Sequence, residues 1–317
     1  MQVLRGCLAL MSLLALGCGS AETGSVRVDP GLAALVPADT VTLGGVRMEA
    51  LRATAVYKRW VVGRSMPLMD EFAKETGLDL RKDLAELLSA SNGRDTVVLA
   101  RGKFSPATLE SRLSRPGVKR MPYKGHTLIG NEEGAVAFLN ATTAVAGRAA
   151  MIHSVIDQRN RGGVPAALLE KLKTVPASSQ IWAVSLGGFG QIGKVVPQEG
   201  MLANVGKILS LIENFTFAAD FRAGLDALAT GLCRSEQDAR SLSDAVRGLI
   251  GLGRLSTPDN EPEMLRFYDA IQVEQQQRTV RVRAQIPQDL LDKAIQKVEA
   301  LGPAPFVRPG SPPPRPR

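Results

Sequence analysis

The hydrophobic and polar positions of this chain follow two different periods from residue 39 onward. Some segments place apolar side chains at every second position, which is typical of a half-buried strand. The clearest example is Phe215, Phe217, Ala219 and Phe221. Other segments space them three and four residues apart, as in an amphipathic helix. The clearest follows Ser235 and includes Ala239, Leu242, Ala245, Leu249 and Ile250. Because both periods recur along the chain, we expect an α+β fold with mainly antiparallel sheets.

The same pattern, with glycine and proline as breakers, predicts the individual elements. The predicted strands are 40–48, 96–100, 118–123, 126–130, 135–139, 143–146, 180–187, 215–222, a partner strand ending near Cys233, 272–276 and 279–286. The predicted helices are 50–62, 67–76, 80–89, 106–113, 149–159, 166–173, one that begins after Ser235, 262–271 and one from about residue 290.

A repeated motif predicts two α+β halves, residues 26–160 and 164–301, with a boundary at 161–163. Each half contains Val-Pro-Ala shortly before a strand, at Val36-Pro37-Ala38 and at Val175-Pro176-Ala177. The repeat indicates either an internal duplication or a chance similarity between short apolar segments. Duplicated halves are expected to pack pseudo-symmetrically, with a ligand groove between them.

The two ends of the chain differ from its body. Residues 1–17 read as an export signal, with Arg5 before an apolar run at 8–16 that is too short to span a bilayer. Residues 302–317 are rich in proline and arginine and are expected to be disordered.

The end of the leader, Ala15-Leu16-Gly17-Cys18, resembles the lipobox of bacterial lipoproteins. The lipobox usually has Leu where Ala15 stands and a small residue where Leu16 stands. The resemblance implies a lipid anchor on the Cys18 thiol, a tether over 18–25, and, with Gly19 next, the outer membrane. The alternative is an ordinary secretory signal that is cut after Ala21.

The charge of the body argues against a nucleic-acid partner. The net charge is +8, but Arg5 and three tail arginines (Arg308, Arg315 and Arg317) account for four of these charges. The remaining excess of four is spread thinly, whereas nucleic-acid-binding domains concentrate it in a stripe. Aromatic residues make up only 4% of the chain, so stacking platforms for bases or sugars are not expected.

The residue types that carry catalysis or metal binding do not form a recognisable site. His126 and His153 lack partners at zinc-ligand spacing. Gly188, Gly190 and Gly193 have dinucleotide-motif spacing, but Pro197 follows where the phosphate-binding helix should run. The acidic groups (Glu132 and Glu133, then Asp259, Glu261 and Glu263) suit a turn and a helix start. We therefore expect no enzyme activity, no metal and no cofactor.

Three further features have both a structural and a functional interpretation. Arg278, Arg281 and Arg283 in the last hairpin favour a solvated sheet face, with an anion-facing surface as the alternative. Trp60 and Trp182 are expected in the core. Cys233, which follows an apolar strand, is expected to be a buried, inert thiol.

The whole chain resembles uncharacterised predicted lipoproteins of Gram-negative, myxobacterial-type bacteria, a family without an assigned function. The matching segments are Leu16-Gly17-Cys18, Val36-Pro-Ala-Asp-Thr40, Gly102-Lys-Phe104 and Tyr123-Lys-Gly125. The resemblance implies a lipid-anchored protein on the periplasmic side of the cell envelope.

The leading hypothesis is non-catalytic binding of a lipid ligand or an envelope protein. The alternatives are a hydrolase-type enzyme with a dispersed site and a structural subunit of an envelope assembly. A lipid binder should contain an apolar cavity, an enzyme a pocket with convergent polar side chains, and an assembly subunit a large exposed apolar patch.

Overall fold

The strands of both halves join in one antiparallel sheet. The computed structural model describes residues 24–114, 118–158, 162–187, 209–258 and 260–300. The strands are β1 (Thr42–Val46), β2 (Leu84–Ser91), β3 (Thr96–Gly102), β4 (Lys119–Tyr123), β5 (His126–Asn131), β6 (Gly134–Asn140), β7 (Thr143–Gly147), β8 (Ile181–Ser185), β9 (Ile212–Asp220), β10 (Leu225–Cys233), β11 (Ile271–Gln276) and β12 (Thr279–Ile286). Their order across the sheet is β11-β12-β10-β9-β8-β1-β2-β3-β7-β6-β5-β4.

Helices pack on both faces of this sheet. They are α1 (Pro30–Ala33), α2 (Met48–Arg52), α3 (Ala55–Trp60), α4 (Pro67–Thr76), α5 (Leu80–Asp83), α6 (Pro106–Leu113), α7 (Ala149–Asp157), α8 (Ala166–Leu172), α9 (Glu236–Leu255), α10 (Pro262–Asp269) and α11 (Gln288–Ala300). The predicted α+β class is confirmed, with the two sets of strands joined edge to edge.

One face of the sheet carries the largest core, which both halves share. Strand residues such as Leu43, Val97 and Trp182 pack there against α1, α7 and α8. The opposite face carries three apolar clusters, one under α4 and α6, one under α9, and one under α10 and α11 that also includes Val56 of α3. The first two of these clusters belong to one half each, whereas the core on the first face is shared.

The strand register gives the two halves a pseudo-twofold relation. The two Val-Pro-Ala motifs lie 139 residues apart, and the same offset takes Gly44 to Ala183. Gly44 and Ala183 are register partners in the middle of the β1–β8 pair, where a twofold axis must place equivalent residues. Following the register outward from this pair, along one row of residues across the sheet, makes these positions of the two halves equivalent: Ser89 and Phe217, Val98 and Ala229, Ala146 and Val282, and Val136 and Val273.

The order of elements agrees with this relation. We call the β1–β8 pair, where the two halves meet, the seam. In each half three consecutive strands follow one another outward from the seam, a helix follows the third strand, and a later strand pairs with that third strand. The hairpin β4–β5 extends the sheet in the first half beyond this common plan. The structure thus favours duplication over chance similarity for the Val-Pro-Ala repeat.

Two predicted helices differ from the structure. The segment 80–89 was expected to be helical, but only Leu80–Asp83 is a helix and Leu84–Ser91 is strand β2. β2 hydrogen-bonds to β1 on one side and β3 on the other, and these pairings override the helical propensity of its Leu, Ala and Glu residues. The helix expected over 50–62 is divided at Thr54, whose hydroxyl accepts a hydrogen bond from the Tyr57 amide and begins α3 anew.

Candidate functional site

An apolar cavity lies between the sheet and helix α9 in the second half. Its volume is about 390 Å³. Its walls come from β9, β10, β12 and α9, and include Phe215, Phe217, Ala229, Gly231, Leu242, Val246, Val280 and Val282. Apart from Thr216 and Thr230, every lining residue is apolar. We call this space the C-terminal cavity.

Small residues on the central strand make room for this cavity. Ala229 and Gly231 lie on β10, between the phenylalanines of β9 and the valines of β12. A Cβ atom at Gly231 would lie 3.4 Å from the Ile212 side chain, so Ile212 closes one edge of the cavity floor. The small residues at these two positions leave space below α9 that the neighbouring side chains do not fill.

Helix α9 covers the cavity with its N-terminal half. Ser235 caps the helix, since its hydroxyl accepts a hydrogen bond of 3.0 Å from the Asp238 amide. Leu242, Ser243 and Val246 share the inward stripe. The Ser243 hydroxyl is buried and has no hydrogen-bond partner among the described residues.

A polar pocket of about 340 Å³ lies elsewhere in the first half, next to α3 and α5. It is lined by Arg52, Tyr57, Arg64, Asp79, Arg81 and Lys82, among others. Arg52 and the Tyr57 hydroxyl donate to the Arg81 carbonyl, at 3.2 and 2.8 Å. Hydrogen bonding from Arg81 lowers the pKa of the Asp79 carboxyl, and burial raises the pKa of Tyr57. These shifts keep the Asp79 carboxyl ionised and the Tyr57 hydroxyl protonated at pH 7.

The two histidines lie in or beside a polar surface cluster. The His153 ring stacks on Tyr123 with centroids 3.8 Å apart, and Asp157 accepts hydrogen bonds from the Tyr123 hydroxyl and the Lys124 ammonium, at 2.8 and 2.6 Å. His126 is the register partner of Tyr123. No group of metal-ligating side chains with the required composition occurs among the described residues. Sequence reasoning missed this cluster because α7 and the β4–β5 hairpin are brought together only by tertiary packing.

Three of the five acidic residues singled out from the sequence are paired with nearby cations. Glu133 accepts from Arg148 at 2.8 Å, while Glu261 and Glu263 pair with Lys297 and Lys293 of α11. Glu132 contributes its backbone carbonyl to the Ala149 amide. Asp259 lies outside the described residues.

The three arginines of the last hairpin each have a carboxylate partner. Arg278 lies 2.7 Å from Glu213, Arg283 lies 3.5 Å from Asp226, and Arg281 lies 3.9 Å from Glu274. Arg281 and Arg283 lie on the face opposite the C-terminal cavity. Their pairing is what a solvated sheet face shows.

Trp60, Trp182 and Cys233 are buried, as expected from the sequence. The Trp60 indole donates to the Asp292 carboxylate at 2.7 Å, which ties α3 to α11. Burial raises the pKa of the Cys233 thiol, which lowers its thiolate fraction.

Several predicted features lie outside the described residues. They are the export signal at 1–17 with the lipidation site Cys18, the glycines 188, 190 and 193, and the tail at 302–317. Among the described helices, none combines the length and apolar character that a bilayer-crossing segment needs.

Comparisons with known proteins leave the chain without a family. No family model matches the sequence, and no curated protein matches it. Solved structures of TP0453 resemble the fold: crystal form III has a TM-score of 0.49 and 11% identity, over 86% of this chain and 99% of that one. Crystal form I has a TM-score of 0.46 and 10% identity, over 86% and 98%.

Proposed function

We propose that this chain is a lipid-anchored protein of the bacterial cell envelope that binds the acyl chain of a lipid without chemical conversion. The observation that carries the proposal is the C-terminal cavity, about 390 Å³ of space with an almost wholly apolar lining. Its volume falls within the usual range for small-molecule sites, about 300–1,000 Å³. The proposed location rests on the leader and Cys18.

The lining selects the class of ligand. Water in a cavity needs polar partners, and the walls here supply few of them. A hydrocarbon chain instead regains the dispersion contacts that an empty cavity lacks. Each methylene group that moves from water into the cavity contributes about 0.8 kcal/mol. The ligand class favoured by these terms is therefore a flexible acyl chain.

Affinity should depend on chain length in a defined way. We expect saturated fatty acids from decanoate upward to bind about fourfold more tightly per added methylene, until the cavity is full. The measurement is displacement of a fluorescent fatty acid from purified protein lacking residues 1–23. Ala229→Trp, which fills the cavity floor, should abolish binding of the fluorescent fatty acid. Leu228→Trp, on the opposite face of the same strand, is the matched control and should leave that binding unchanged.

Two results would contradict the proposal. One is the absence of binding at any chain length by a correctly folded protein. The other is binding that Ala229→Trp and Leu228→Trp affect equally, which would put the ligand outside the C-terminal cavity.

A further inference from the structure

A second apolar cavity lies in the first half. Its volume is about 330 Å³, close to that of the C-terminal cavity. It is enclosed by strands β2, β3, β6 and β7 and by residues of α4 and α6, and its lining includes Phe72, Leu87, Val98, Ala100, Leu113, Ala144 and Ala146. All of the lining residues are apolar. We call this space the N-terminal cavity.

The pseudo-twofold relation places the two cavities at equivalent positions. The sheet register matches lining residues of the N-terminal cavity with lining residues of the C-terminal cavity as follows: Leu87 with Phe215, Val98 with Ala229, Ala100 with Gly231, Ala144 with Val280, and Ala146 with Val282. In both halves the helix that follows the third strand contributes to the cover, α6 through Leu113 and α9 through Leu242 and Val246.

An exposed arginine adjoins a lining residue on the cover helix of each cavity. Arg112 is next to Leu113, and its guanidinium packs against Gly77, 2.6 Å from where a Cβ atom would stand. Arg247 is next to Val246 and donates to the Val273 carbonyl at 2.9 Å. Arg247 also forms an ion pair with Asp244 at 3.8 Å, whereas Arg112 forms no ion pair with another residue in the described ranges. A cation beside a hydrocarbon space matches an amphiphile with an anionic head.

We infer that the protein has two pseudo-equivalent sites for a single-chain anionic amphiphile of the fatty-acid class, one in each half. The chain lies in the apolar cavity and the carboxylate pairs with Arg112 in one site and with Arg247 in the other. The inference rests on the proposed function for the C-terminal cavity and adds a second site, a stoichiometry and a head-group chemistry.

The test counts bound hexadecanoate on protein lacking residues 1–23 by native mass spectrometry. We expect two ligands on the unmodified protein, one on Val98→Trp, one on Ala229→Trp and none on the double variant. Arg112→Gln and Arg247→Gln should each weaken hexadecanoate binding at one site about tenfold while leaving hexadecanol binding unchanged. If a tryptophan variant does not fold, Leu113→Asn and Val246→Asn replace it, because both side chains are only partly buried.

The outcomes separate the inference from the proposed function. One ligand that Ala229→Trp removes and Val98→Trp leaves in place overturns the second site but keeps the first. No bound ligand overturns both. Equal losses of hexadecanoate and hexadecanol in the arginine variants overturn the head-group assignment.

Discussion

The contact between Gly45 and Trp182 shows how tightly single residues are constrained at the sheet seam. A Cβ atom at Gly45 would lie 2.4 Å from the Trp182 indole, which is closer than Cβ atoms come to other heavy atoms in proteins. Trp182 is almost fully buried in the core that both halves share. The glycine therefore fixes the position of the largest side chain in the shared core.

We expect Gly45→Ala to lower the free energy of unfolding by about 1–3 kcal/mol through overpacking. Gly44→Ala is the matched control, since the nearest atom to its Cβ is 3.5 Å away, an ordinary contact. Urea denaturation of both variants gives the comparison. Equal losses would show that the indole contact does not decide the effect.

Glu86 is a half-buried carboxyl whose charge opposes folding. Burial raises its pKa, and its Oε1 atom has no hydrogen-bond partner within the described part of the chain. For an acid with a raised folded-state pKa, the folded protein binds more protons than the unfolded one, so stability falls as pH rises above the unfolded pKa.

Glu86→Gln should therefore stabilise the protein at pH 7 and lose that advantage below about pH 4, near the unfolded pKa of a glutamate. Chemical denaturation at both pH values measures the difference. Glu133→Gln, at an exposed residue in a turn, should show no comparable gain at pH 7. A gain for Glu86→Gln that is the same at pH 4 and pH 7 would contradict the assignment.

At the level of single residues, the sequence predicted which side chains are buried better than it predicted their hydrogen-bond partners. Trp60, Trp182 and Cys233 are buried as expected, because apolar side chains report their own environment. The Asp292 carboxylate that accepts from Trp60 lies 232 residues further along the chain. No local pattern encodes such a pair.

At the element scale, strand β2 shows where periodicity fails. Its buried leucines, Leu84 and Leu88, lie four residues apart, a spacing that suits one face of a helix or one face of a regular strand. A β-bulge between Leu84 and Glu86 instead places the two leucines in clusters on opposite faces of the sheet. Only the next buried position, Ala90, agrees with the strand period alone. Elements with longer runs, such as β12, were predicted within one or two residues of their ends.

Helix α9 has a buried beginning and an exposed end. Leu242 is buried against the sheet, whereas Leu252 and Leu255 are 52% and 86% exposed. We expect Leu252→Gln and Leu255→Gln to change the free energy of unfolding by no more than about 0.5 kcal/mol. Leu242→Gln, which buries an amide in an apolar cluster, should cost about 2–4 kcal/mol. Thermal unfolding followed by circular dichroism compares the three variants, and equal costs would contradict the packing described for α9.

The cavities were hard to foresee at this scale because they depend on what is missing. Ala229 and Gly231 read simply as weak strand residues, and their partners on α9 come from a different element. The small size of these β10 residues was the only signal in the sequence.

At the scale of the whole molecule, the sequence left open whether the two halves are a duplication, and it did not predict the sheet that unites them. The Val-Pro-Ala repeat suggested two related units with a groove between them. The structure pairs β1 with β8 instead, so the cavities lie within each half and not at the seam. Register between distant strands depends on backbone hydrogen bonds that side-chain patterns do not specify.

The proposed anchor concerns the whole molecule. We expect Cys18→Ser to move the protein from the membrane fraction to the soluble fraction and to prevent incorporation of labelled palmitate, because one thiol carries the anchor. Cys7→Ser, within the leader, is the matched control and should leave both properties unchanged. A wild-type protein that is already soluble outside the inner membrane would instead support ordinary secretion with cleavage after Ala21.

The seam has a consequence for how the chain avoids unwanted partners. Strands β1 and β8 lie at the centre of the twelve-stranded sheet, so each would be an exposed edge strand if its half folded alone. An exposed edge strand can pair with a strand of another molecule and lead to aggregation. Because both halves belong to one chain, β1 and β8 pair with each other and neither edge is left open to intermolecular strand addition.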